Sequence, residues 1–227
     1  IEQVTLTTNG VVLSEYLPKL IENGLDAVNI SLDTLKPEKY EQITGKDKLN
    51  EVRKGILDTL DAGIPVKINS VLQCGLNDDE WLELAQLTMK YPLDVRFIEL
   101  MPISQGKEKH TLKEEEVRHI LSETYGTIRP CVEKLGSGPA YYRKIDGFEG
   151  KIGFISAISH KFCSGCNRVR MTADGFLKPC LQYETGMDLR TLLRDGVSDA
   201  ELKAQIEMTI TQKPKCHHFG EINEPEQ

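Results

Sequence analysis

Three cysteines in the C-terminal half of the chain have the spacing of metal ligands. Cys163 and Cys166 form a C-x2-C pair, and Cys180 follows after thirteen intervening residues. A tight turn in a C-x2-C loop directs both sulfurs to one side, and we expect Gly165 to permit that turn. The dipeptide Asp174-Gly175 predicts a hairpin that brings Cys180 back to the first two sulfurs. The segment therefore predicts a three-thiolate metal site.

The cysteine spacing leaves the kind of metal open. Free cysteines that pack as small hydrophobic residues are disfavoured here, because the neighbouring residues are polar and rich in glycine. A structural zinc ion with a fourth ligand from Cys131, Cys216, His217 or His218 competes with an iron–sulfur cluster. The chain has six cysteines and shows no export signal, which favours reduced thiols in the cytoplasm over disulfides.

Two arginines directly follow the C-x2-C pair. Arg168 and Arg170 are two positions apart, and a strand predicted over residues 168–172 would place both side chains on one face. A guanidinium group is suited to bidentate contact with phosphate or carboxylate. In isolation, a solvated strand edge would explain the pair as well. Next to a metal site, the pair favours an anionic ligand bound beside the metal.

Composition narrows the class of protein. With 28 basic and 35 acidic residues, the chain of 227 residues has a net charge of −7, which argues against a nucleic-acid partner. The sequence contains no apolar run long enough to span a membrane, so we expect no membrane association. A hydrophobic fraction of 39% is typical of an ordinary globular protein.

The first hundred residues alternate between strand-like runs and amphipathic helical stretches, as in repeated βαβ units. This pattern predicts an α/β fold, a partial and incomplete TIM-like barrel of parallel strands, over residues 1–104. Residues 105–227 are expected to form a smaller α+β region that carries the cysteines. Ligands of such sheets bind at the carboxyl ends of the strands. The predicted strands are Val4–Thr7, Ala27–Leu32, Val66–Leu72 and Val95–Leu100.

Motifs along nearly the whole chain resemble one family. The run FCSGCNRVRMTADGFLKPCL is similar to the C-terminal cluster motif of the GTP 3′,8-cyclases, the radical S-adenosylmethionine enzymes of molybdenum cofactor biosynthesis. TLTTNG, VNISLD, VKINSVL and RFIELMP resemble successive barrel strands of that family, in the same order. KPKCHHF resembles a segment shortly before the family's C-terminus.

The resemblance implies a reaction and its cofactors. A 4Fe-4S cluster in an N-terminal segment cleaves S-adenosylmethionine to a 5′-deoxyadenosyl radical. A second 4Fe-4S cluster, held here by Cys163, Cys166 and Cys180, binds GTP through the iron that has no cysteine ligand. The radical removes the ribose 3′ hydrogen, and the resulting carbon radical attacks C8 of guanine. The product, (8S)-3′,8-cyclo-7,8-dihydroguanosine 5′-triphosphate, passes to cyclic pyranopterin monophosphate synthase as the downstream functional partner.

Matched motifs also imply individual binding residues. GTP would be contacted by Thr7 in TTNG and Lys67 in VKIN, and by both arginines of CNRVR, Arg168 and Arg170. S-adenosylmethionine would be contacted by two further residues, Ser31 in NISLD and Met101 in IELMP. A homodimer is left open. No residue of the chain is implied in catalysis beyond the two substrate-positioning arginines.

The chain departs from the family pattern at three points. It contains no C-x3-C-x2-C motif, no glycine-rich S-adenosylmethionine motif before TTNG and no C-terminal Gly-Gly. We therefore expect a fragment, with an exposed sheet edge beside Val4–Thr7. We predict that this polypeptide alone does not convert GTP. The alternatives are another radical S-adenosylmethionine enzyme with an auxiliary cluster, or a zinc-stabilised binding module.

Overall fold

The computed structural model describes residues 2–102, 111–133, 135–136 and 138–219. Contacts divide these residues into two compact units. The sheet unit contains the residues up to Met101 and those from 111 to 159, and the cysteine unit contains residues 160–219. The predicted domain boundary at residue 104 lies outside the described residues and stays a prediction. No helix among the described residues is both long and apolar enough to cross a membrane.

The sheet unit contains one seven-stranded sheet and five helices. The strand order is β1-β2-β3-β4-β7-β6-β5, with parallel pairing from β1 through β4 to β7 and antiparallel pairing of β6 and β5. The α/β prediction with a mainly parallel sheet is confirmed, and the last three strands extend the sheet that the first four begin. The elements are β1 Thr5–Thr8, α1 Leu13–Glu22, β2 Ala27–Ser31, α2 Pro37–Thr44, α3 Leu49–Asp61, β3 Val66–Leu72, α4 Trp81–Lys90, β4 Asp94–Glu99, α5 Glu114–Tyr125, β5 Ile128–Cys131, β6 Tyr141–Ile145 and β7 Ile152–Ile155.

One face of this sheet forms the hydrophobic core with the helices. In β3, residues alternate between buried and half-buried, so that Val66, Ile68 and Leu72 point into the core. The same alternation in β4 buries Val95 and Phe97. Burial of an aliphatic or aromatic side chain contributes about 1.5–3 kcal/mol, so this alternation fixes which face of each strand is left for polar residues.

The sequence predicts Asn77 or Asp78 as the N-cap of α4, and neither residue takes that position. Asn77 does not cap α4; its side chain instead accepts the Gln73 N–H and donates to the carbonyls of Asp33 and Val71. Asp78 likewise lies outside the cap position, which Glu80 occupies.

The sequence also predicts Thr111 as the cap of α5, but its side chain binds elsewhere. Its hydroxyl donates to the Leu72 carbonyl over 2.8 Å, and Lys113 takes the cap position of α5. The Glu116 carboxylate accepts the Lys113 backbone N–H over 2.9 Å, so it satisfies a donor at the helix start. Long-range bonds to strand ends therefore took precedence over local capping at both Asn77 and Thr111.

The cysteine unit has little regular structure. A 3-10 turn at Cys163–Gly165 precedes a small antiparallel sheet with strand order β10-β9-β8. The sequence predicts helical stretches at Leu189–Arg194 and Asp199–Thr211, and the two helices of this unit have these bounds. The elements are β8 Arg170–Met171, β9 Phe176–Lys178, β10 Met187–Asp188, α6 Leu189–Arg194 and α7 Asp199–Thr211.

Candidate functional site

The sheet unit carries a row of polar side chains on the face opposite its core. We call this set the polar face, and its register follows the strands: Thr7 lies beside Asn29, Asn29 beside Lys67, and Asn69 beside Arg96. Lys67, Asn69 and Arg96 are half-buried between buried apolar neighbours. Polar side chains in the middle of parallel strands are unusual and mark this face as a candidate binding surface.

Arg96 is held across the polar face by two neutral amides. Its Nε donates to Asn69 Oδ1 and its Nη2 donates to Asn29 Oδ1, both over 2.7 Å. The Asn29 amide donates in turn to the Thr7 hydroxyl over 3.2 Å. Because both acceptors are uncharged, these bonds orient the guanidinium without neutralising it. Sequence reasoning missed Asn29, although its position between buried Val28 and Ile30 is the signal that could have found it.

Lys67 adds a second positive charge to the polar face. Its Nζ donates to the Leu135 carbonyl over 2.9 Å and lies 5.9 Å from the centre of the Tyr142 ring. Burial lowers the pKa of Lys67, and the nearby positive charge of Arg96 lowers it further, while Asp94 partly opposes this. Two half-buried cations that destabilise each other would gain from a bound anion.

The two residues implied for S-adenosylmethionine lie at strand ends. Ser31 is exposed and is the last residue of β2, and Met101 is half-buried two residues after the end of β4. Both strands pair in parallel with β3, so both positions fall at the same edge of the sheet. At this edge the buried Glu99 carboxylate accepts the backbone N–H groups of Ile158 and Ser159 over 2.7 and 2.9 Å.

The C-x2-C pair of the cysteine unit lies on a single 3-10 turn. The Cys166 N–H donates to the Cys163 carbonyl over 3.1 Å. The expected role of Gly165 is wrong, because its backbone has no positive φ and a Cβ at that position would meet nothing within 4 Å. Hydrogen bonding of the turn, rather than the freedom of glycine, sets the spacing of the two cysteines.

The hairpin predicted between the second and third cysteines is present. Arg170 pairs with Lys178 and Met171 with Leu177, and Gly175 turns the chain with a φ of 88°. The strand predicted over residues 168–172 is shorter than expected, since β8 covers only Arg170–Met171. Arg168 therefore precedes the strand, so strand alternation does not place it on one face with Arg170. Both arginines are exposed.

Two of the three thiols accept hydrogen bonds. The His217 N–H points to Cys163 Sγ over 3.4 Å, and Lys213 Nζ lies 3.3 Å from Cys166 Sγ. Burial raises the pKa of the Cys166 thiol, but the Arg168 N–H and the Lys213 ammonium outweigh it, so the net pKa lies below the ordinary value. These contacts favour a thiolate, the form in which cysteine binds metals.

Three half-buried thiols are the donors that an iron–sulfur cluster requires. Within the part of the chain that the structure describes, no three His, Cys, Asp or Glu side chains are grouped closely enough to hold one metal ion. A 4Fe-4S cluster binds each thiolate to a different iron, so its ligands need not converge on one point. The three cysteines are all free and half-buried, which suits that wider arrangement.

Comparison with protein families divides the chain in two. Residues 1–88 match the Radical SAM superfamily, and residues 93–219 match the Molybdenum Cofactor Synthesis C family. The second match covers more than half of the chain. It includes the three candidate cysteine ligands, Arg168, Arg170 and the segment around Lys213.

Known proteins and a solved structure are similar to the chain over most of its length. The structure of Streptococcus suis SuiB bound to S-adenosylmethionine is similar in fold, with a TM-score of 0.56 at 12% identity, over 89% of this chain and 49% of that one. The GTP 3′,8-cyclase of Clostridium perfringens (strain SM101 / Type A) is 44% identical over 219 residues, which are 96% of this chain and 68% of that protein. The enzyme of Desulforamulus reducens (strain ATCC BAA-1160 / DSM 100696 / MI-1) is 43% identical over 223 residues, 96% of this chain and 69% of that protein. The chain thus spans about two thirds of these relatives, and it belongs to the GTP 3′,8-cyclase family within the radical S-adenosylmethionine superfamily.

Proposed function

We propose that this chain contributes the substrate-binding part of a GTP 3′,8-cyclase, which converts GTP to (8S)-3′,8-cyclo-7,8-dihydroguanosine 5′-triphosphate in molybdenum cofactor biosynthesis. The observation that carries the proposal is the environment of the cysteines. Two of the three thiols accept N–H donors that stabilise thiolates. Family membership makes GTP the expected substrate, since the relatives named above carry that activity in their names.

Cys163, Cys166 and Cys180 would hold a 4Fe-4S cluster. With three protein ligands, the bound cluster supplies one iron that is open to a substrate atom. The protein's part is to keep the thiols ionised and correctly spaced. The 3-10 turn spaces the first pair, and the hairpin of β8 and β9 returns the chain toward the third cysteine.

Each unit contains residues that the family motifs assign to GTP. In the sheet unit, Lys67 and Thr7 belong to the polar face, and Arg96 adds a further positive charge to that face. In the cysteine unit, Arg168 and Arg170 are exposed and follow shortly after the C-x2-C turn. Guanidinium and ammonium groups are the usual partners of phosphate oxygens, and a net charge of −7 makes these positions local exceptions in an acidic chain.

Ser31 and Met101 would contact S-adenosylmethionine at the carboxyl edge of the parallel strands, where ligands of such sheets bind. The cluster that cleaves S-adenosylmethionine needs a C-x3-C-x2-C motif, which these 227 residues do not contain. The proposal includes a reducing, cytoplasmic location, because three free thiols must stay reduced to bind iron. The downstream partner would be cyclic pyranopterin monophosphate synthase, which consumes the product.

The first test is the metal content of the 227-residue chain. After anaerobic reconstitution with iron and sulfide, we expect about four irons per chain and the brown colour of a 4Fe-4S cluster. A colourless chain that retains one zinc would overturn the proposal in favour of a zinc-stabilised module. Because the chain has no second cluster motif, all of the iron reports on the C-terminal site.

The second test asks whether GTP binds at this cluster. We expect GTP, and not ATP, to shift the electron paramagnetic resonance spectrum of the reduced cluster. Arg168→Ala and Arg170→Ala should each raise the GTP concentration needed for half of the spectral change at least tenfold. Each substitution removes a charged phosphate contact of about 1.5–3 kcal/mol. Arg194→Ala, an exposed arginine at the end of α6, is the matched control and should leave the response unchanged. A spectrum that ignores GTP would contradict the substrate assignment.

A further inference from the structure

Lys213 lies just beyond the last turn of α7 and has a fixed backbone. Its N–H donates to the Ile210 carbonyl over 3.1 Å, which continues the hydrogen bonding of the helix for one residue. Pro214 follows, and proline cannot extend a helix. The end of α7 therefore fixes the backbone position from which the Lys213 side chain extends.

The Lys213 ammonium uses all three of its donors at the C-x2-C turn. Nζ lies 2.9 Å from the Cys166 carbonyl, 2.7 Å from the Arg168 carbonyl and 3.3 Å from Cys166 Sγ. An ammonium group has three N–H donors and no acceptor, so these three partners satisfy it completely. None of the three is a carboxylate, so its charge is not cancelled by an ion pair in this set.

These contacts connect a cluster ligand with a substrate arginine. The two carbonyls flank Asn167, so one ammonium fixes the path of the backbone from Cys166 to Arg168. The third contact places a positive charge beside the ligand sulfur. Hydrogen bonds and charge at cluster sulfurs set the reduction potential, and a nearby cation favours the reduced form, which is the more negative one.

We infer that Lys213 is a positioning residue for the proposed cluster: it orients the segment from Cys166 to Arg168 and raises the cluster's reduction potential. This role rests on the proposed function, because it requires a cluster on Cys166. It differs from the substrate contacts already proposed, since Lys213 acts through a ligand sulfur and two carbonyls.

The test compares four reconstituted 227-residue chains: wild type, Lys213→Met, Lys213→Arg and Lys215→Met. Lys215 is an exposed lysine two residues further along and serves as the matched control. Reduction potentials are measured by titration followed by electron paramagnetic resonance. In Lys213→Met we expect the ratio of reduced to oxidised cluster at a fixed potential to fall about tenfold, which is about 59 mV for a one-electron couple. Lys213→Arg should recover most of the shift, and Lys215→Met should match wild type.

The outcomes separate this role from the proposed function. A wild-type chain that binds no iron overturns both. A wild-type chain with about four irons, together with Lys213→Met at an unchanged potential, overturns only the role of Lys213. If Lys213→Met takes up no iron, the reduction potential is measured in Lys213→Gln instead. Glutamine keeps N–H donors but loses the charge. A wild-type potential in that variant contradicts the inference, whereas a lowered potential, or iron uptake restored only by Lys213→Arg, supports it.

Discussion

The sheet unit and the cysteine unit position their functional groups by different means. On the polar face, strand register places Thr7 beside Asn29 and Asn69 beside Arg96. The Arg96 side chain then reaches across the face to Asn29. In the cysteine unit, β8 and β10 contain two residues each, so little ladder is available. There, hydrogen-bond donors such as the Lys213 side chain and the His217 N–H hold the C-x2-C turn in place instead.

This difference predicts how each unit responds to change. A sheet whose faces alternate between buried and polar residues tolerates little added volume, because close-packed neighbours cannot move apart. An irregular loop held by a few hydrogen bonds has room for added atoms, but it depends on the individual groups that bind the metal. Substitutions in the two units should therefore fail in different ways.

The largest effect is expected from the three cysteines. Cys163→Ala, Cys166→Ala and Cys180→Ala should each reduce reconstituted iron from about four per chain to less than one, because two thiolates do not retain a 4Fe-4S cluster. The far-ultraviolet circular dichroism of the sheet unit should stay unchanged, since its core lies elsewhere in the chain.

Two further cysteines provide controls for the ligand set. Cys74→Ala removes an exposed thiol of the sheet unit and should keep all of the iron. Cys216→Ala tests a thiol in the same segment as His217 and should also keep it. Full iron in Cys180→Ala would show that the set of three ligands is wrong, and loss of iron in Cys216→Ala would point to the four-ligand alternative.

Two glycines sharpen the contrast in packing. A Cβ on Gly153 in β7 would lie 2.9 Å from Arg96 Cγ and 2.9 Å from Tyr142 Cε1, whereas one on Gly165 would meet nothing. Gly153→Ala should cost about 1–3 kcal/mol of unfolding free energy. For a chain of this length, that cost lowers the melting temperature by about 2–4 °C per kcal/mol.

Gly165→Ala is the matched substitution in the other unit. It should change the unfolding free energy by less than about 0.5 kcal/mol and leave iron uptake intact. Equal shifts in the melting temperatures of the two variants, measured by calorimetry, would break the proposed contrast between a packed sheet and an open turn.

Local patterns made much of the fold predictable. The boundaries of β3 follow from its apolar pattern, because burial of one face decides them. The Asp174-Gly175 turn was predictable for a similar reason, since Gly175 adopts a positive φ that few other residues tolerate. The candidate ligands and arginines could be named from their spacing and from the family resemblance.

Contacts between distant segments could not be predicted in this way. Arg96 and Asn29 are 67 residues apart, and Lys213 and Cys166 are 47 apart, so their hydrogen bonds depend on register and on where α7 ends. Thr111 has a hydroxyl suited to a local cap, but a strand carbonyl 39 residues away takes its bond. A pattern limited to a few neighbouring residues carries no information about such competition.

A small effect on stability is expected at Lys67, where stability and binding should move in opposite directions. Because burial and Arg96 lower the pKa of Lys67, folding disfavours its protonated form. That penalty is fully present below the lowered pKa and disappears as the pH rises toward the ordinary lysine value. Lys67→Met should therefore melt slightly higher than wild type near neutral pH, and the difference should shrink in alkaline buffer.

The same variant should bind GTP about tenfold more weakly, since one charged contact is worth about 1.4 kcal/mol or more. Lys54→Met, on the exposed surface of α3, is the control and should lack the opposed pair of effects. A Lys67→Met chain with unchanged GTP affinity, measured by calorimetric titration, would remove Lys67 from the residues proposed to bind GTP.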